Sequence, residues 1–384
     1  MIYLDHAATT PLDKEVLNEM LPYFSDTFGN ANSQHTYGQK AASAVVAARE
    51  EVAECINAKP SEVYFTSGGT EADNWAIKGA ALAFKEKGNH IITSKIEHSA
   101  IYASCKQLES LGFEVTYLDV SPEGFVSPDD LRNAITDKTI LVSIMFANNE
   151  MGAIQPIKEL AKIAHEKDVV FHTDAVQAAG ALHIDVKDLG VDLMSVSGHK
   201  FYGPKGIGCL YIRSGQKMER LITGGEQERS KRGGTTNVPN VVGMGKAFKK
   251  ATAEIDENAK YISSLRDRFV KQVEEKIDDI KFNGPRHDRL PNNASFSFRY
   301  IEGESILFSL DLKGICASSG SACSSGSLEP SRTLLAIGTP VGLAHGTIRF
   351  SFGKHNTVEE VDKTVEILVE EVKRLRAMSP LYKK

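Results

Sequence analysis

Three side chains in this 384-residue sequence have types and settings suited to covalent chemistry: Lys200, Asp174 and Cys323. Lys200 ends the tetrapeptide Ser197-Gly198-His199-Lys200, directly after the apolar run Leu193–Val196. A strand that runs into a lysine at the carboxyl edge of an α/β sheet puts an amine where such sheets bind ligands. A lysine amine forms a Schiff base with an aldehyde cofactor. Read alone, the tetrapeptide fits a surface turn with a solvated lysine at least as well. Residues 168–177 shift that balance: Asp168-Val-Val-Phe-His-Thr-Asp174 is a strand ending in an acid, with Gln177 three residues on. A carboxylate at a strand end can pair with a pyridinium nitrogen and make the ring a better electron sink, and Gln177 can reach the ring's phenolic oxygen. Capping of the next segment is the plainer use of such an aspartate. Two strand ends, each carrying a residue that one chemistry needs, favour the cofactor reading.

The same edge offers phosphate ligands. Ser67-Gly-Gly-Thr70-Glu-Ala follows the strand pattern Val63–Thr66 and opens a helix. Its glycines allow close backbone approach, and a helix N-terminus attracts phosphate. It has neither the Walker lysine nor the full dinucleotide pattern. Strand alternation puts Ser197 and His199 on one face, where both can reach a phosphate. Gly203-Pro-Lys-Gly206-Ile-Gly208 leads into a strand instead and reads as a turn. Cys323 sits within Cys316-Ala-Ser-Ser-Gly-Ser-Ala-Cys323-Ser-Ser-Gly-Ser327, a run of small residues that is expected to bury little and form a mobile loop. A thiol on such an arm suits collecting sulfur in a cleft and delivering it outside, provided it ionises; an incidental cysteine in a Ser/Gly linker is the alternative. Cys55, Cys105, Cys209 and Cys316 read as small buried hydrophobes. In Thr347-Ile-Arg-Phe-Ser-Phe352, alternation places Thr347, Arg349 and Ser351 on one face. The Arg349 fork suits a carboxylate, and an edge-strand arginine facing water fits the pattern equally.

These residues need an α/β scaffold. Strand patterns at Glu62–Thr66, His90–Thr93, Glu114–Leu118, Ile140–Phe146, Val169–Thr173, Leu193–Ser197 and Gly208–Ile212 alternate with helical stretches. That alternation predicts a mainly parallel sheet covered on both faces, its last two strands joined by a short turn as an antiparallel pair. Residues 239–278 read as one or two long helices. Asn292–Arg299 reads as a strand, and a final helix opens with the capping box Thr357/Glu360. We expect a large domain at residues 16–262 and a smaller α+β domain built from 1–15 and 263–384, which carries the cysteine loop. A net charge of -5 is too mild to imply nucleic-acid or membrane binding. No apolar run has membrane-spanning length, no signal peptide is visible, and five scattered cysteines without metal spacing point to the cytoplasm and to no metal site.

Taken together, Ser-Gly-His-Lys200, the Asp174/Gln177 pair and Ser-Gly-Gly-Thr70-Glu resemble the fold-type-I pyridoxal-phosphate transferases of the class-V aminotransferase group, and within them the cysteine desulfurases. Tyr3-Leu-Asp-His-Ala-Ala-Thr-Thr10, Phe28-Gly-Asn-Ala-Asn-Ser33 and Asn148-Asn-Glu-Met-Gly152 resemble further motifs of that family, in its order and over nearly the whole chain. The segment around Cys323 resembles the long-loop subgroup. The resemblance implies a seven-stranded sheet and a homodimer. It implies that Lys200 holds the cofactor aldehyde, that Asp174 meets the ring nitrogen and Gln177 the phenolic oxygen, and that His98, in Glu97-His-Ser-Ala100, stacks on the ring. Thr70, Ser197, His199 and the Gly69 backbone would bind phosphate, with Asn149 beside the cofactor. Thr235, in Arg232-Gly-Gly-Thr235, would reach the phosphate of the neighbouring subunit. Arg349 would hold the carboxylate of L-cysteine, with Asn32 facing the substrate. Lys200 and His98 would move protons, and Cys323 would take the sulfur as a persulfide, leaving alanine. On pattern alone, His98 fits a helix-start histidine and Thr235 an ordinary loop residue. Other fold-type-I enzymes, an aminotransferase or a selenocysteine lyase, would share Lys200 and Asp174. Two departures stand out: Gly69 replaces the usual alanine before the threonine, and the chain stops at Lys384 without the tail that helps dock an iron–sulfur scaffold. The sulfur acceptor is therefore expected to be either such a scaffold or a tRNA-thiolating sulfurtransferase.

Overall fold

The structure is a computed structural model that describes residues 1–319 and 330–382. Its strands are β1 (Ile2–Tyr3), β2 (Val63–Thr66), β3 (His90–Ser94), β4 (Glu114–Leu118), β5 (Thr139–Ser143), β6 (Val170–Asp174), β7 (Leu193–Ser197), β8 (Gly208–Ile212), β9 (Ile280–Phe282), β10 (Asn293–Phe298), β11 (Ile315–Cys316) and β12 (Thr347–Ser351). Strands β2 to β8 form one seven-stranded sheet in the order β2-β8-β7-β6-β5-β3-β4. Neighbours are parallel except around β8, which runs antiparallel to both β7 and β2. The expected antiparallel β7–β8 pair thus places β8 between β7 and β2, and β2 points the same way as the other five. That places the carboxyl ends of β2, β6 and β7 along one edge.

Both faces of the sheet are covered, which is why its central strands are buried at every residue. One face packs on the helices Thr36–Cys55, Ile157–His165 and Val238–Ala253, around Val142, Phe171, Met194 and Val196. The other packs on the helices Gly69–Phe84 and Ser99–Ser110 through Leu141, Val170, Leu193 and Leu210. The expected strand Ile140–Phe146 ends at Ser143, yet the Phe146 N–H still donates to the Asp174 carbonyl at 2.8 Å and steadies the end of β6.

A separate apolar cluster joins Ile2 and Leu4 to residues of 262–372. Here β12, β10 and β9 form an antiparallel sheet, and β1 pairs with β11 in parallel. The helix Val358–Met378 opens with the expected capping box and buries Val361, Val365, Leu368 and Val372 against this sheet. Among the described residues no helix is long and apolar enough to cross a membrane.

Candidate active site

The carboxyl ends of β2, β6 and β7 open onto a cavity of about 400 Å³, lined by Gly69 and Thr70 after β2, Asp174 and Gln177 at and beyond β6, and Ser197, His199 and Lys200 after β7. His98, Asn149 and Arg349 complete the expected residues that line it. Thr235 and Asn32 are exposed and do not line this cavity. Cys323 lies outside the described residues.

Local structure explains each placement. Asp174 is the last residue of β6 and 5 % exposed, and its Oδ1 accepts the Val176 N–H at 2.9 Å. It therefore caps the following turn and faces the cavity at once, so the two uses open in the sequence coexist. Lys200 ends a single 3₁₀ turn after β7, and its Nζ donates to the carbonyls of Ala7 at 2.7 Å and Ala8 at 2.8 Å. Gln177 Nε2 donates to the same Ala7 carbonyl at 2.9 Å. The N-terminal segment is held in turn by Ser351, whose Oγ accepts the Ala7 N–H at 2.8 Å. A chain start from the β1 side thus crosses to the lysine. His98 is the N-cap of the helix Ser99–Ser110, its Nδ1 accepting the Ala100 N–H at 3.2 Å. With Nδ1 accepting this bond, Nε2 is the ring nitrogen left to face other partners. His199 is held neutral, its pKa lowered to about 4 by burial and by Lys200 and Lys205.

Behind Asp174 lie acids and a histidine that were not singled out in the sequence. Asp73, Asp174 and His98 bring one polar atom each to within 4.8 Å of one another. Asp73 is 1 % exposed, and its Oδ1 has no hydrogen-bond partner. Burial, then the nearby Asp174 and Glu97 carboxyls, hold its pKa well above the ordinary value. Burial also raises Asp174, but His98, the Val176 N–H and Lys200 oppose it. Two buried carboxyls this close cannot both ionise readily, and the contacts from His98, the Val176 N–H and Lys200 that favour a charge fall on Asp174. Burial pushes Glu97 up to about 8, against hydrogen bonds from Ser94 and the Met145 N–H. His172, one strand position pair before Asp174, is kept neutral at about 3 by burial, with hydroxyls of Ser143 at 2.8 Å and Ser195 at 3.0 Å on its two nitrogens. The signal available for Asp73 was its place in Gly69–Phe84: an acid on the buried helix face that holds Ala72 and Ala76.

The opposite wall belongs to the C-terminal third. Arg349 is only 1 % exposed, which removes the water-facing alternative. One of its nitrogens meets Asp5 Oδ1 at 2.8 Å and another donates to the Asn149 carbonyl at 3.1 Å. Its backbone pairs with Ser318, the last strand-like contact before residue 320. Glu150 lines this end too, where the Ser331 hydroxyl donates to it. None of the four described cysteines lines the cavity. Burial pushes Cys55 up to about 11 and Cys105 and Cys209 to about 12.

The aminotransferase class-V family model matches residues 2–364. A cysteine desulfurase IscS of Dictyoglomus turgidum is 55 % identical over 379 residues, covering 99 % of this chain and 96 % of that protein. One of Methanosarcina thermophila is 55 % identical over 383 residues, covering 100 % and 95 %. Among solved structures, a NifS-like protein superposes with a TM-score of 0.92 at 38 % identity, covering 97 % of this chain and all of that one. A structure described as SspA in complex with cysteine gives 0.82 at 38 % identity, covering 93 % and 100 %. With its fold, its strand-end lysine and aspartate and these matches over nearly its full length, the chain belongs to the class-V aminotransferase family, among the pyridoxal-phosphate-dependent cysteine desulfurases.

Proposed function

We propose that this protein removes sulfur from L-cysteine, leaves L-alanine, and passes the sulfur through a persulfide on Cys323 to an acceptor protein of iron–sulfur cluster assembly or tRNA thiolation. The observation that carries the reading is one cavity with Lys200 Nζ and the Asp174 carboxylate on its sheet side and the Arg349 guanidinium on the other.

The residues fit pyridoxal phosphate. At Gly69 a Cβ would meet Val176 Cγ2 at 2.8 Å and Ser197 Cβ at 3.3 Å, so this turn lies tight against the segments that follow β6 and end β7 and brings its backbone to the cavity. Thr70, Ser197 and His199 surround that end of the cavity and suit the phosphate, with Thr235 of the partner subunit completing it. That role for Thr235 requires a homodimer, because Thr235 is exposed and lies outside its own cavity. Lys200 suits the aldehyde, Asp174 the ring nitrogen, Gln177 the phenolic oxygen and His98 the ring face, with Asn149 alongside. When bound, the cofactor supplies an electron sink that makes the substrate Cα proton acidic.

The chain's own residues do the rest. Lys200 Nζ takes the Cα proton. Arg349 binds the substrate carboxylate in place of, or shared with, Asp5, and Asn32 approaches from the Phe28–Ser33 segment. His98 Nε2 exchanges a proton with the substrate thiol. The Cys323 thiolate attacks the substrate sulfur: the S–S bond forms, the C–S bond breaks, and its electron pair stays on the departing carbon skeleton. The distinct apolar clusters support two domains, 16–262 and 1–15 with 263–384, and we place the protein in the cytoplasm. Incubation with L-cysteine alone tests the reading. Alanine and sulfane sulfur should appear in equal amounts; alanine formation that requires an added 2-oxo acid would instead make the protein an aminotransferase.

A further inference from the structure

Glu228, Arg229 and Ser230 are three consecutive non-glycine residues in the left-handed region, with φ of 46°, 55° and 62°. Each such residue is strained and persists only where surrounding contacts over-determine it. Those contacts run to β2, to Ser61 just before it and to Arg49, which itself donates to the Val63 carbonyl of β2 at 2.7 Å. The Glu228 carboxylate accepts two Arg49 nitrogens at 2.7 Å each and the Phe65 N–H at 3.0 Å. The Arg229 guanidinium donates to the carbonyls of Ser61 at 3.1 Å and Val63 at 2.8 Å, and lies 4.1 Å from the centre of the Tyr64 ring. β2 is the strand that runs directly into Ser67–Thr70. The strained turn is therefore fastened to the base of the proposed phosphate cup.

The residues beyond the turn reach the cup itself. Arg232 grips the Glu71 carboxylate with two nitrogens, at 2.8 and 3.0 Å. The same carboxylate accepts the Ser67 N–H at 2.7 Å. Neither side chain lines the cavity, and they are 19 % and 9 % exposed, so water screens the pair weakly. Glu71 follows Thr70 immediately. An anion in a helix's first turn suits the helix dipole, but here it competes with a phosphate for the same positive end. Burial alone would favour the neutral acid; Arg232 and the Ser67 N–H outweigh it and keep Glu71 ionised. Without a counter-charge the cup would hold a fixed anion beside its ligand.

We propose that Arg232 is a positioning residue for the cofactor phosphate: anchored by the left-handed turn Glu228–Ser230, it holds the Glu71 carboxylate and cancels its charge beside the Ser67–Thr70 turn. The proposal rests on the cofactor reading above. Because Thr235 lies three residues beyond Arg232, the same segment would brace its own cup and present Thr235 to the partner's.

Equilibrium titration of stripped protein with pyridoxal phosphate, and in parallel with pyridoxal, tests this. Arg232→Gln should weaken pyridoxal phosphate binding about tenfold, as expected for one uncompensated charge at partly screened range, and leave pyridoxal binding where it was. Glu71→Gln should tighten pyridoxal phosphate binding, because Arg232 is then left to the phosphate. The double variant should return to within about threefold of wild type, because the two charges cancel. The proposal is overturned if Arg232→Gln binds pyridoxal phosphate like wild type, if it weakens pyridoxal equally, or if the double variant is as weak as Arg232→Gln. Should Arg232→Gln fail to fold, the sign of Glu71→Gln decides: looser binding overturns the proposal. A wild-type protein that binds neither ligand would sink the cofactor reading rather than the role of Arg232.

Discussion

The two walls of the cavity are built differently. The sheet-side wall takes its residues from the ends of β2, β6 and β7 or from the turns directly after them, and each lies within four residues of a strand end. The far wall takes Arg349 from the middle of β12, Asn149 and Glu150 from a turn, and Ser331 from the N-cap of the short helix Arg332–Ala336. These are joined by side-chain contacts between distant parts of the chain: Arg349 to Asp5, Arg349 to the Asn149 carbonyl, and Ser331 to Glu150. A parallel sheet fixes its wall through the backbone. The other wall is assembled by charge and hydrogen bonding, and every member of it already has protein partners. Ligand binding means exchanging partners on both walls, but Lys200 and Gln177 give up backbone carbonyls of the N-terminal segment, whereas Arg349 gives up a carboxylate.

Substitutions should separate the walls, beginning with the sheet side. Lys200→Ala should reduce alanine formation from L-cysteine by at least ~10³-fold, since it removes both the covalent anchor and the base. Its absorbance spectrum should lack the band of the lysine-bound cofactor, while the fold, followed by circular dichroism, persists. On the far wall the loss should be smaller and fall on binding. Arg349→Lys keeps the charge but not the fork, and should raise KM about 10- to 100-fold with a lesser change in kcat. If kcat carried the whole loss and KM stayed fixed, the far wall would not be the carboxylate site. Asp5→Asn frees Arg349 of its protein carboxylate and should lower KM by a few-fold.

A further effect concerns stability and belongs to the sheet side. Glu97 titrates at about 8 in the folded chain against an ordinary 4.5, so the folded state holds a proton that the unfolded state has lost across that window. A raised folded pKa stabilises fully below about 4.5, and this contribution disappears as pH rises to 8, by up to about 1.4 kcal/mol per pH unit. Urea unfolding between pH 5 and 8 should show this decline in wild type, and Glu97→Gln should flatten it. An unchanged slope would mean that Glu97 is ionised when folded.

The contrast between the walls also accounts for what could be read from the sequence. Lys200, Asp174 and Ser197 could be found because a strand pattern announces its own end, and the limits of β4, β7 and β8 match the sequence reading residue for residue. The seven-stranded α/β architecture follows from the same alternation. The insertion of β8 between β7 and β2 could not be read, because a hairpin pattern does not say which strand lies beyond it. Asp5 and Glu71 stood inside quoted motifs, but their partners Arg349 and Arg232 lie 344 and 161 residues away, and no local period records such a pairing. Asp73, the buried neighbour of Asp174, was hidden because a single polar residue on a buried helix face is usually a satisfied core residue.

The central claim is that one reaction joins the strand-end amine to a thiol that no described part of the cavity supplies. Peptide mapping by mass spectrometry after one equivalent of L-cysteine, without reductant, tests it most directly. We expect the mass of one additional sulfur atom on the peptide containing Cys323, in step with the alanine released, and no such increase on the peptides of Cys55, Cys105, Cys209 or Cys316. Alanine release with the Cys323 peptide unmodified, or undiminished turnover by Cys323→Ser, would contradict the account.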